Sequence, residues 1–257
     1  MNKISYSQYS MWAQCPHRWK TAYIDGQREY SDNIHTLFGT SMHEVIQTFL
    51  TVMYNDTAKQ AEQLPLEDML LTRMKRNFEE VLKTNGGEMF CTEKDMVEFY
   101  GHGVEILKFI RKKRAQYFSK KGYELIGIEV PIDYDMPNNI KFIGYIDVVI
   151  RDTVRDVIKI YDIKTSTMGW NKYMKADKNK TDQLLLYKQF YSKQYNHPMD
   201  KIEVEYFIVK RKLYENLDFP QKRVQKFTPA NGKPSINQVI NRLDQFMKES
   251  FKSDGEY

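Results

Sequence analysis

Residues 141–165, KFIGYIDVVIRDTVRDVIKIYDIKT, decide how the rest of the chain is read. Val, Ile and Tyr fill two runs on either side of a polar break at residues 151–155, the pattern of two adjacent strands joined by a tight turn. Three charges interrupt this otherwise apolar hairpin: Asp147, Asp162 and Lys164. Charges on a buried strand are costly unless paired or bound to a metal. Alternation puts Asp162 and Lys164 on one face and Ile163 on the other, and Asp147 joins them if the strands pair across the turn. Neighbouring carboxylates repel unless a cation neutralises them, and such oxygen ligands suit one or two Mg2+ or Mn2+ ions. By itself the pattern is also that of strand-end aspartates paired with lysines, and a lone DxK arises by chance in many chains.

Outward from the hairpin, the two halves of the chain differ. Residues 123–136, YELIGIEVPIDYDM, alternate around Pro131 and read as a strand near a sheet edge, turning through residues 136–139 into the hairpin. Everything earlier reads as helix. Ser5 and Ser7 precede a first helix, Pro16 starts a second, and the polar residues 25–34 connect it to the next. From Thr36, Met42, Val45, Ile46, Phe49 and Met53 form an amphipathic stripe, with His43 beside it about one turn after Gly39. Residues 66–84 and 93–119 read as two further helices, separated by the Asn85-Gly86-Gly87 break. After Thr165 come a lysine-rich loop, a helix from Thr181 or Asp182, a strand at residues 201–212, an edge strand at 222–228 and a closing helix at 235–251.

With 257 residues, 41% hydrophobic and 28% charged, the chain is globular rather than disordered. Its 39 basic and 34 acidic residues give +5, which permits an anionic partner without demanding one. Two cysteines cannot build a disulfide scaffold or a four-thiolate cluster. No run is long enough to cross a bilayer and no signal-peptide core opens the chain, so a soluble, cytoplasmic protein is expected.

Five short patterns in order give the hairpin company. They are Ser5 to Trp19 as SYSQYSMWAQCPHRW, Gly39-Thr40-Ser41-Met42-His43 as GxxxH, Gly144-Tyr145-Ile146-Asp147 as GxxD, Asp162-Ile163-Lys164 as DxK, and Gln183-Leu184-Leu185-Leu186-Tyr187 as QxxxY. Each is weak alone. Together, in this order, they resemble the RecB-like and Cas4-like nucleases of the PD-(D/E)xK superfamily, with His17 where a basic residue is usual.

The resemblance implies a restriction-endonuclease-like α/β core, a mixed central sheet flanked by helices, as one nuclease domain over residues 1–257 with a helical insertion at 44–121. It implies that Asp147 and Asp162 bind the metal, Lys164 is the catalytic lysine, His43 is a further ligand, and the Ile163 main-chain carbonyl completes the coordination. Gln183 and Tyr187 would lie near the scissile phosphate or the lysine, and i, i+4 spacing does put them on one helix face. Glu129 resembles an acidic residue that some members place near the metal, with Asp133 and Glu124 as alternatives. Many relatives carry a 4Fe–4S cluster; Cys15 matches its first thiolate, but no cysteine follows Tyr187, so no iron–sulfur cluster is expected and Cys15 is expected to be buried.

The implied activity is Mg2+- or Mn2+-dependent hydrolysis of DNA, foremost by an exonuclease acting on ends with a single-strand preference in repair, recombination or phage DNA metabolism. A helicase or recombinase is a natural partner. A structure-specific endonuclease and a catalytically silent DNA-binding subunit are the alternatives. In the loop after the DxK, Lys172, Lys175, Lys178 and Lys180 alternate with Trp170 and Tyr173, a mixture that suits single-stranded nucleic acid or a merely solvated loop. Lys112, Lys113, Arg114, Lys120 and Lys121 read as a solvated helix face.

Overall fold

The computed structural model describes residues 2–27 and 32–252. A short strand β1 (Asn2–Ser5) opens it, followed by helices α1 (Tyr6–Gln14), α2 (Pro16–Tyr23), α3 (Ile34–Asn55), α4 (Ala58–Glu62), α5 (Leu66–Thr84) and α6 (Glu93–Tyr117). Strands β2 (Tyr123–Met136), β3 (Ile140–Asp152) and β4 (Val157–Ser166) come next, then α7 (Lys172–Ala176), α8 (Lys178–Gln194), β5 (Ile202–Lys210), β6 (Val224–Phe227) and α9 (Lys233–Ser250). Side chains fix many helix starts: Asn33 accepts from the His35 and Thr36 amides, and Thr92 and Asp95 form a reciprocal capping box. Lys120 Nζ reaches back to the Tyr54 and Asp56 carbonyls at the end of α3, and Arg114 pairs with Glu62. Part of the expected basic face therefore ties helices together.

One mixed sheet runs β1-β3-β4-β5-β6, with β2 on the other edge of β3. The 141–165 hairpin is present as read, antiparallel from Val148↔Tyr161 to Asp152↔Val157. β4 and β5 are parallel and α8 makes the crossover between them, the βαβ arrangement that covers a parallel pair. β1 lies parallel to the first residues of β3, along the edge that β4 occupies further on.

The sheet is buried on both faces. One apolar layer joins Phe142, Ile160 and Tyr206 of the sheet to Tyr9, Leu185, Phe190 and Phe246 on α1, α8 and α9. The other joins Val148, Tyr161, Ile163 and Phe207 to Phe38, Phe49, Leu70 and Ile106 on α3, α5 and α6. The helices within residues 44–121 thus share a core with the sheet, and α3 runs unbroken across residue 44.

Two expectations are corrected. Cys15 is exposed, because it sits between α1 and α2 and caps the latter, its Sγ accepting from the Arg18 amide. Trp170 is only 7% exposed, packed on Tyr206 and Phe227, so its ring is not free to stack on a base.

Two glycines on α6 test the packing of the helical layer. A Cβ on Gly103 would lie 2.4 Å from Leu70 Cδ2 and 3.1 Å from Phe38 Cε2, whereas one on Gly101 meets nothing within 4 Å. Replacing either by Ala gains about 1 kcal/mol of helix propensity, but at Gly103 overpacking of about 1–3 kcal/mol opposes it. In urea unfolding Gly101→Ala should be more stable than wild type and Gly103→Ala less stable; equal effects would contradict this packing.

Candidate active site

The hairpin opens where its charges begin. Pairing of β3 with β4 stops at Val148↔Tyr161, so Asp147 and Asp162 occupy the next opposed positions, which are unpaired. Because β1 pairs only with residues 140–143, residues 144–147 of β3 have no strand neighbour on that edge. The sheet forks there. Asp147 Oδ2 accepts the Ile163 amide at 2.6 Å, so a carboxylate stands in for the missing ladder carbonyl.

Asp162 and Lys164 follow on the splayed strand with Nζ 2.8 Å from Oδ2. Asp162 Oδ2 is buried, and no hydrogen bond is aligned on it. Lys164 Nζ donates to Gln183 Oε1 at 3.0 Å, and Gln183 Nε2 donates to Tyr187 Oη at 3.2 Å. The two QxxxY side chains thus form a relay that orients the lysine. Tyr187 in turn explains a motif glycine, since a Cβ on Gly144 would come 2.9 Å from its ring. Gly39 plays the same part for α3, where a Cβ would lie 3.2 Å from Thr165 Oγ1 at the end of β4.

That close approach brings His43 in from the helical layer, with Nδ1 3.6 Å from Asp147 Oδ2. Gln47, one turn on and buried, was missed by motif reading. Its amide donates to Glu129 Oε1 at 2.5 Å and to the Asp147 carbonyl at 3.3 Å. Its i+4 spacing from His43 was the available signal. Glu129 sits opposite Asp147 with φ of 49°, a left-handed conformation that a strand residue adopts only under constraint. Of the two alternatives, Asp133 pairs with Lys141 and Glu124 lies near the hairpin turn opposite Arg151.

Burial dominates the electrostatics. It pushes the Asp147 and Asp162 carboxyls up to about 6 against the attraction of Lys164. Burial pulls the Lys164 ammonium down, but Asp162 and Asp147 outweigh it and the net shift is upward. Burial and the Lys164 charge lower His43, which leaves a neutral imidazole at pH 7. Among the described residues no three His, Cys, Asp or Glu side chains converge as a metal cage. What converges is two carboxylates, one with a buried oxygen countered only by the Lys164 ion pair among the described residues, a donor set for a hard cation that keeps part of its water shell.

The loop after β4 leads into the helix that carries Gln183 and Tyr187. Tyr173 is 73% exposed with Lys172 over its ring, and Lys175 lies over Phe227. Lys178 and Lys180 fall in the first turn of α8, which Asp177 caps and which begins three residues before Thr181.

Comparison with known proteins bears on the family and the fold. No curated protein matches the chain. A crystal structure of a Eubacterium rectale protein named "Putative exonuclease" superposes with a TM-score of 0.51 at 14% identity, over 96% of this chain and 79% of that one. At that identity the likeness is one of fold. The family model of the PD-(D/E)XK nuclease superfamily matches residues 3–253, the span that carries the fork, its carboxylates and the helices around them, and the chain belongs to that superfamily.

Proposed function

We propose that the chain is a Mg2+- or Mn2+-dependent deoxyribonuclease that hydrolyses phosphodiester bonds from DNA ends, with a preference for single strands. The observation that carries this reading is the fork itself, which sets Asp147 and Asp162 opposite each other with Lys164 on the same face. Ends are favoured by the resemblance to RecB-like nucleases and by the name of the Eubacterium rectale protein.

Asp147 and Asp162 would hold one or two ions with the Ile163 main-chain carbonyl and His43, while Glu129 borders the site. The buried Asp162 Oδ2, countered by the Lys164 ammonium and by no aligned hydrogen bond, is the feature that fits such a ligand. A bound divalent cation supplies Lewis-acid polarisation of the scissile phosphate and a more acidic attacking water. Lys164, oriented by Gln183 and Tyr187, holds an ammonium where negative charge grows on the phosphate. Gln47 keeps Glu129 facing the site.

The deciding assay incubates end-labelled single-stranded, duplex and covalently closed circular DNA with Mg2+ or Mn2+. Wild type should degrade linear single strands fastest and spare closed circles, and Asp162→Ala and Lys164→Ala should each lose roughly 10²–10³-fold or more. Intact substrates with wild type, or variants as active as wild type, would sink the assignment.

The raised carboxyl pKa values give a second test. A folded-state pKa above the unfolded one stabilises the protein fully at pH below the unfolded value, and that contribution is lost as pH rises through about 6. At pH 7.5 the two carboxylates therefore strain the metal-free protein, and a cation that binds them raises its melting temperature. Mn2+ should raise Tm at pH 7.5, raise it much less at pH 5 where protons compete, and fail to raise it in Asp162→Asn. A shift equal at both pH values would show that the cation binds elsewhere.

A further inference from the structure

Tyr145 stands in the middle of β3, an interior strand of the sheet, yet it is 61% exposed. Among the described residues its side chain has no hydrogen bond, ring contact or cation–π partner. Single exposed aromatics are ordinary on a surface, and Tyr173, Tyr214 and Phe219 are such cases, on the short α7 or between β5 and β6. Tyr145 differs in place. It lies in the 144–147 interval that neither β1 nor β4 covers, directly after Gly144 and two residues before Asp147.

Alternation turns it away from buried Ile146. Across the strand pair it faces Pro131, which is exposed, and Ile143 two residues back is half-buried. The open sheet surface therefore presents an aromatic ring beside a proline, two residues or about 7 Å of backbone along the strand from Asp147. Exposed Glu129, opposite Asp147, closes the far side. A flat apolar surface adjoining a phosphodiester site fits the base of the nucleotide whose phosphate lies at the carboxylates. Only an unstacked base can present its face to that ring.

We propose that Tyr145 is the stacking platform for the nucleobase next to the scissile phosphate, and that single-strand selectivity arises at this ring. The proposal rests on the nuclease reading above.

The test measures KM and kcat on single-stranded oligonucleotides for wild type, Tyr145→Ala and Tyr145→Phe, with abasic residues placed in turn on either side of the cleaved bond. Tyr145→Ala should raise KM about tenfold, within a range of roughly 5- to 150-fold, and Tyr145→Phe should restore it. For wild type, one abasic position should impose a similar penalty, and that position should cost Tyr145→Ala nothing further. The Mn2+-induced Tm shift of Tyr145→Ala should match wild type. A wild-type KM in Tyr145→Ala, penalties that simply add, or loss of the Mn2+ shift would each overturn the stacking role while leaving the nuclease reading in place. Wild type that cuts no oligonucleotide would overturn the nuclease reading, and this proposal with it.

Discussion

The Ile163 amide to Asp147 carboxylate hydrogen bond is the constraint on which the site depends. In an uninterrupted antiparallel pair that amide would donate to a main-chain carbonyl across the ladder, and the strands would stay together. Giving the donor a side-chain acceptor satisfies it while the two backbones separate. The separation leaves room between the strands, and it fixes one carboxylate oxygen of Asp147 so that the group cannot rotate away. Asp162, directly opposite, inherits a position with no ladder partner on that side, its buried Oδ2 facing the Lys164 ammonium.

Everything else near the fork holds costly groups in place. Two carboxylates and an ammonium in a low-dielectric pocket are tolerable because Lys164 lies between Asp162 and Gln183, and Tyr187 fixes Gln183. The left-handed backbone at Glu129 costs about 1–3 kcal/mol. Gln47 offsets part of that by binding the Glu129 side chain and the Asp147 carbonyl together. Local preference is overridden where chemistry is concentrated, as expected of a functional site.

Much of this was legible because the hairpin and the long amphipathic helices carry strong periodic signals. β2 matches the alternating run at residues 123–136, and α5 spans the whole of the 66–84 segment. The DxK geometry followed from alternation alone. β1 was not legible, since four residues with one buried side chain, Ile4, have no period to detect. The short helices α4 and α7 were missed for the same reason. Trp170 misled because loop composition says nothing about which ring the sheet edge will cover. Gln47 was hidden by its ordinary place in a helical pattern, and Tyr145 by its place inside a motif whose outer letters drew attention.

The apolar faces of β2 and β3 change phase at the level of Glu129 and Asp147. On β2, Tyr123, Leu125 and Ile128 join the layer under α3, α5 and α6, while Val130 and Ile132 join the layer under α8 and α9. On β3, Val148 and Ile150 join the first layer and Ile140, Phe142 and Ile146 the second. Each strand is therefore a thread running through both layers, and neither layer can loosen without pulling on the other. Opening confined to the periphery therefore leaves the crossing point in place. The carboxylates sit at the knot, where the packing of both layers bears on their alignment.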